Sequence, residues 1–321
     1  MGVSPHFLTS PKIGGHRGLK KTNKHPHNQA ISDMNRQFGI STSICTGEVA
    51  SLARGTGTPA ADQLLKGYLS LLDDFARFVL KNGFDTIEIE FGFSIISAEL
   101  LLPLAAELKA IVRPFRAVSC HLPLGEVNIA ALHSAMRREA IAETKRHIDL
   151  CGELGISKLV MHPGCFGATP DRYALLEKQT RQIAERSVFE IAGYAKKKRM
   201  ELSVENLHRS EALFREPREF EPFVRRGIGM TLDTVHAFVS GINPLDFITK
   251  FGEKITEVHL TDGIASDSYA HYPLGTGMVD CLAVLRKLEE IGYSGSIILE
   301  VNSHDDLLRS KKFLKRNGYL K

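Results

Sequence analysis

ELSVEN (201–206), GMTLDTVH (229–236) and ITEVHLTD (255–262) follow one another in the second half of the chain. Each is a short apolar and β-branched run closing on a residue able to hold a metal: Glu205, Asp233 and His259. The same form recurs on either side, in LVMHPG (159–164), which carries His162, and in SIILEVN (296–302), which carries Glu300. Such runs read as strands, and residues at helical spacing follow them. Regular alternation of strand and helix builds a parallel sheet, and a parallel barrel gathers the carboxyl ends of its strands round one mouth. Ligands at strand ends meet there although 43, 28, 26 and 41 residues separate His162, Glu205, Asp233, His259 and Glu300 in turn. Each interval fits one strand-plus-helix unit or slightly more.

Toward the amino end, GISTSI (39–44), TIEIEFG (86–92) and AVSCHLP (117–123) complete a count of eight strands. Helices are predicted over 64–83, near 98–112, over about 131–154 with Gly155 as terminator, and over about 172–198, with further helical stretches after the later strands. The expected fold is therefore α/β, a single (β/α)8 TIM barrel over residues 38–321. A doubly wound open sheet is the competitor, but no GxGxxG follows the first strand. From the fourth strand onward polar alternation is sparse until the last residue or two, as expected when both faces are covered.

With 321 residues, 43% of them hydrophobic, one large core suffices and a second domain is not required. No apolar run reaches the roughly 20 residues of a membrane span, and no secretory leader is evident, so a cytoplasmic protein without a membrane partner is expected. Five cysteines without CxxC spacing argue against disulfides and a thiolate zinc knot; they read as reduced, mostly buried side chains. Residues 1–40 hold Lys12, Arg17, Lys20, Lys21, Lys24 and Arg36 against Asp33 alone, a net of +5, so the remainder of this +4 chain nets −1. Residues 1–37 thus form a short basic extension, rich in Gly, His, Asn and Lys, read as disordered.

Glu205, Asp233, His259 and Glu300 form an oxygen-rich set of three carboxylates and one imidazole. Such a set suits Mn²⁺, Zn²⁺, Co²⁺ or Mg²⁺ and disfavours metals that prefer thiolates. Glu88 and Glu90 share one face of the second strand, and Glu90, nearer the strand's end, is the better placed for a substrate. His208 and Arg209 lie on a loop beyond Glu205 and are candidates for a substrate hydroxyl, carboxylate or phosphate. His133, His147 and His304 fall in or beside helices and are expected at the surface.

CHLPLGEVNIA (120–130), HPG, EN, LDTVHAF (232–238), HLTD, HYPLGTGMVD (271–280) and ILEVN, in this order and spacing, resemble the xylose isomerase-like TIM barrel superfamily. That superfamily holds sugar and sugar phosphate isomerases and epimerases, tagatose-type ketose 3-epimerases, and endonuclease IV. The resemblance implies that Glu205, Asp233, His259 and Glu300 bind a common metal. It also implies that Glu205 and Glu300 face opposite sides of a substrate carbon, one removing a proton and the other returning it. A small carbohydrate is then the substrate, and a homo-oligomer is compatible with the pattern. His236, three residues after Asp233, is expected on the adjacent turn facing the mouth. The glycines of HYPLGTGMVD are expected to let backbone approach a small ligand.

The same resemblance supplies an alternative. His121, His162, His236 and His271 match positions where endonuclease IV places zinc ligands, with Glu205 bridging two ions, which would make the chain an apurinic/apyrimidinic endonuclease with nucleic acid as its partner. Tyr269 stands where that family has a third-metal aspartate, and the near-neutral barrel lacks a clustered basic face. The sugar enzyme is the favoured reading. A barrel that binds a metabolite without converting it is the third.

Overall fold

The computed structural model describes residues 37–43, 45, 61–91, 96–166, 176–208, 213–267 and 271–321. The expected basic extension, apart from Gln37, lies outside them. Eight parallel strands close into a barrel in sequence order: β1 (Phe38–Ser41), β2 (Thr86–Glu90), β3 (Ala117–His121), β4 (Lys158–Met161), β5 (Glu201–Glu205), β6 (Gly229–Asp233), β7 (Ile255–His259) and β8 (Ser296–Leu299). Closure comes from β1 pairing with β8, Gly39 opposite Ile298. A Cβ at Gly39 would lie 2.7 Å from Thr86 and 2.8 Å from Ile298, so glycine is what lets the first strand sit between its two neighbours.

Around the barrel lie α1 (Ala61–Lys81), α2 (Ala98–Leu101), α3 (Ala105–Val112), α4 (Ser134–Leu154), α5 (Glu177–Lys197), α6 (Glu221–Val224), α7 (Thr234–Val239), α8 (Pro244–Phe251), α9 (Cys281–Glu290) and α10 (His304–Arg316). The single helix expected near 98–112 is divided into α2 and α3 by a 3₁₀ turn, Leu102–Leu104. Pro103 is the cause: it has no N–H to donate and its ring crowds the preceding turn. Gly155 terminates α4 at φ 82°, as expected of a left-handed C-cap. After β5 the helical stretch is brief, a 3₁₀ turn at Pro217–Phe220 followed by α6. No helix among the described residues is long and apolar enough to cross a membrane.

Strand residues alternate between two environments. Ile87, Ile89, Val204, Met230, Leu232 and Val258 belong to the apolar core shared with the helices. The intervening residues are buried and polar, and they meet inside the barrel: Ser119 on β3 reaches Glu257 on β7 at 3.0 Å, and Ser203 reaches Thr231 on the neighbouring strand at 2.6 Å. The alternation hidden by sparse polarity in the later strands is thus present, and it gives the barrel a polar lumen. His147 corrects an expectation. It is buried in α4 on the stripe that includes Ala140, Thr144 and Cys151. His304 packs edge-on against Phe75 and Phe78. All five cysteines are free thiols, four of them buried.

Candidate metal centre

The last inward-facing residues of β2, β3, β5, β6 and β7 are Glu90, His121, Glu205, Asp233 and His259, all buried at the carboxyl end of the barrel. His162 and Glu300 follow β4 and β8 directly, and His236 lies in the first turn of α7. Glu205 is the hub. Its Oε2 lies 3.1 Å from His121 Nε2, 3.5 Å from His162 Nε2 and 3.6 Å from His259 Nδ1, and its Oε1 lies 3.1 Å from His236 Nδ1. Glu300 Oε2 lies 3.2 Å from His259 Nδ1 and 3.8 Å from His271 Nε2.

Three ligand groups share these residues: His121, His162 and Glu205; Glu205, Asp233 and His259; and Asp233, His236 and His271. Within each, one donor atom per residue falls within 4.8 Å of the others. Donors held about 2.1 Å from one ion lie at most about 4.2 Å apart, so small side-chain adjustments would bring each group onto a shared cation. Buried Asp233 Oδ2, Glu300 Oε2 and His259 Nδ1 have no hydrogen-bond partner among the described residues. Polar atoms orphaned in this way are costly, and a divalent cation would satisfy them. The donor set therefore fits a metal. The expected quartet is brought together, with Glu300 joined to it through His259.

Backbone contacts hold the ligands in place. His121 Nδ1–H donates to Leu122 O at 3.0 Å and His236 Nδ1–H donates to Asn206 O at 3.0 Å, which leaves the Nε2 lone pair of each neutral ring for an ion. Asp233 caps α7, Oδ1 accepting from His236 N at 2.6 Å, so one carboxylate both starts the helix carrying His236 and keeps Oδ2 for coordination. Asn206 fastens β5 to β6 by donating to Asp233 O and accepting from Asp233 N. Thr234 Oγ1 accepts from Thr261 N at 3.0 Å and shares its one proton between His259 O at 3.1 Å and Thr261 O at 2.9 Å, fastening β6 to β7. Sequence reasoning quoted EN and DT within its motifs but gave Asn206 and Thr234 no role; small polar residues beside strand-end ligands were the available signal.

The electrostatics follow from burial opposed by pairing. Burial favours neutral Glu205, but His259, His162 and His121 hold its carboxyl well below the usual range. Burial likewise opposes charge on His121 and His236, yet Glu205 carries His121 up to about 10, and Asp233 with Glu205 carries His236 up to about 9. Glu300, against its own burial, is drawn down to about 2, chiefly by His259. Burial prevails at three others: it lowers His162, raises the Asp233 carboxyl, and together with the neighbouring His236 lowers His208 to about 4, so His208 is neutral near pH 7 and suited to hydrogen bonding rather than ion pairing.

A cavity of about 340 Å³ opens at these residues, lined by the polar side chains of Glu90, His121, His162, Glu205, His208, His236, His271 and Glu300 and by apolar Leu124, Val127 and Leu207. Glu90 and His208, expected to face a substrate, both line this cavity. Arg209 lies outside the described residues. The loop after His271 departs from expectation. Its glycines make room for the protein's own backbone and side chains: a Cβ on Gly277 would lie 2.4 Å from Asp262 Oδ1, and one on Gly275 2.5 Å from the Phe313 ring. Buried Asp262 accepts hydrogen bonds from the backbone N–H groups of Gly263, Gly275, Gly277 and Val279 at 2.8–3.0 Å. That carboxylate shapes the segment presenting His271.

Comparison with known proteins agrees with this architecture. A protein of Methanocaldococcus jannaschii, MJ1311, is 27% identical over 203 residues, spanning 61% of this chain and 68% of its own. A D-tagatose 3-epimerase-like protein superposes with TM-score 0.67 at 22% identity, covering 87% of this chain and 96% of the other. D-psicose 3-epimerase with D-tagatose from Clostridium cellulolyticum H10 gives 0.62 at 19%, covering 88% and 99%. At such identities these likenesses show the fold. The model of the xylose isomerase-like TIM barrel family matches residues 76–317, three quarters of the chain, and the protein belongs to that family.

Proposed function

We propose that the protein is a divalent-metal-dependent isomerase or epimerase acting on a small sugar or sugar phosphate. The observation that carries this is the approach of two ionised carboxylates, Glu205 and Glu300, to one ring atom, His259 Nδ1, at 3.6 and 3.2 Å, where both line a cavity of about 340 Å³. Glu205, Asp233, His259 and Glu300 would hold the cation, with Mn²⁺, Zn²⁺, Co²⁺ and Mg²⁺ all compatible with the donors. A bound cation supplies charge that stabilises an enediolate developing on the substrate. Held as anions, Glu205 and Glu300 are each competent to accept a proton; in this reading one would take a proton from carbon while the other, protonated from solvent in the cavity, would return one to the opposite face. Glu90 and neutral His208 would orient hydroxyl groups. The epimerase names borne by the solved structures of similar fold support the substrate class.

The groups His121, His162, Glu205 and Asp233, His236, His271 favour a second reading, a zinc-dependent apurinic/apyrimidinic endonuclease in which paired ions stabilise both oxygens of a phosphodiester displacement. One experiment decides between them. Metal content is measured on protein purified without chelator, followed by a ketose panel and a duplex bearing one abasic site. One ion per chain with C3 or C2 interconversion of a ketose supports the sugar enzyme. Two or three zinc ions with incision at catalytic enzyme concentration overturns it.

A further inference from the structure

Beneath the cavity, the donors that face the lumen one step lower on the strands include Glu88 on β2 and Glu257 on β7, both fully buried. They converge on the underside of His259. Glu88 Oε2 lies 3.3 Å and Glu257 Oε1 3.8 Å from Nε2, while Nδ1 on the other edge of the ring faces Glu205 and Glu300. Glu257 Oε1 already accepts from Ser119 Oγ at 3.0 Å. Both Glu88 oxygens and both His259 nitrogens have no hydrogen-bond partner of good geometry among the described residues. A carboxyl group in a sealed lumen is expensive, and apolar side chains of similar size are commonly more stable there. A metal-bound histidine, however, gives its second N–H to a carboxylate or carbonyl that fixes the ring and raises its basicity.

We infer that Glu88 is a positioning residue for the metal centre: its carboxyl oxygen accepts the Nε2–H of His259 and so presents Nδ1 to the cation, with Glu257, anchored by Ser119, as the second support. This rests on the metal-binding part of the proposed function. What Glu88 must contribute is an acceptor oxygen at this point, and a glutamine keeps one. A leucine of similar volume does not. The role sets affinity for the ion and does not require contact with substrate.

The test titrates Zn²⁺ into wild type, Glu88→Leu and Glu88→Gln against a chromophoric chelator, with thermal melts of the zinc-free proteins alongside. Zinc affinity should fall about 10–100-fold in Glu88→Leu and stay within a few-fold of wild type in Glu88→Gln. Nitrogen-15 spectra of zinc-loaded wild type should show His259 bound through Nδ1 with a proton on Nε2, a reading independent of whether either variant folds. Equal zinc affinity in wild type and folded Glu88→Leu overturns the inference, as does zinc bound through Nε2. A wild type that binds no Zn²⁺ removes the metal reading itself and this inference with it, whereas unchanged affinity in the variants removes only the role of Glu88.

Discussion

The mouth and the floor of the lumen are built from the same five strands one inward-facing step apart, Glu90 over Glu88, His121 over Ser119, Glu205 over Ser203, Asp233 over Thr231 and His259 over Glu257. Yet they behave differently. At the mouth Glu90, His121 and Glu205 line a cavity and imidazoles crowd against carboxylates, so Glu205 and His121 retain charge by pairing. On the floor they are sealed, and burial pushes the Glu88 carboxyl up to about 8 in spite of His259. Composition alone therefore does not make a reactive site. The difference of two residues along a strand decides whether a carboxylate is available to a ligand or supports one that is.

The largest effect that would break this contrast belongs to the mouth. Replacing Glu300 with Gln should lower kcat/KM for the ketose substrate roughly 10²–10⁴-fold, the usual worth of a positioned acid or base, while the circular dichroism spectrum and thermal midpoint stay close to wild type. Undiminished turnover would remove Glu300 from the chemistry. Next comes the scaffold of the mouth. Asp262→Ala leaves four backbone donors, two of them buried, without their acceptor and should cost about 3 kcal/mol in urea unfolding; a smaller loss in stability than in zinc affinity would mean that Asp262 acts on His271 more than on the fold.

The smallest effect is graded rather than absolute. A histidine must be neutral to ligate, and His121 and His236 have values raised to about 10 and 9, so at pH 7 both carry protons that an incoming ion has to displace. Raising the pH removes that competition. Apparent Zn²⁺ affinity should rise by about tenfold per pH unit for each proton displaced, continuing through pH 7–9. A plateau already reached near pH 7, where ordinary histidines have finished titrating, would show that the carboxylates of the mouth do not hold these rings charged.

Much of the mouth was legible in the sequence because each ligand closes a short apolar run, so Glu205, Asp233, His259 and Glu300 announce themselves at strand ends, and eight such runs imply closure. The floor was harder to read. Glu257 sits mid-strand among residues whose two faces are both buried, and nothing in TEVH distinguishes a lumen carboxylate from one paired at the surface. Glu88 could be assigned a face but not a partner, since the partner lies across the barrel on β7. His147 was readable in principle, for it falls on the helical stripe of Ala140, Thr144 and Cys151, but a charged neighbourhood of Lys145 and Arg146 suggests solvent. The glycines after His271 read, from sequence, as making room for a ligand, because their actual neighbours, Asp262 and Phe313, are distant in sequence or lie on other elements.

The pairing of Phe38 with Ile297 and of Gly39 with Ile298 joins the first strand to the last. That contact spans nearly the whole polypeptide, so loop-closure entropy places it among the late events of folding. During synthesis the growing ribbon must carry two open edges until the eighth strand emerges, a period in which strand-to-strand association with other chains competes with maturation. Glu300 follows that strand immediately. On the proposed function, chemical competence would arrive in the same event that seals the ring, and a partly made chain would have neither.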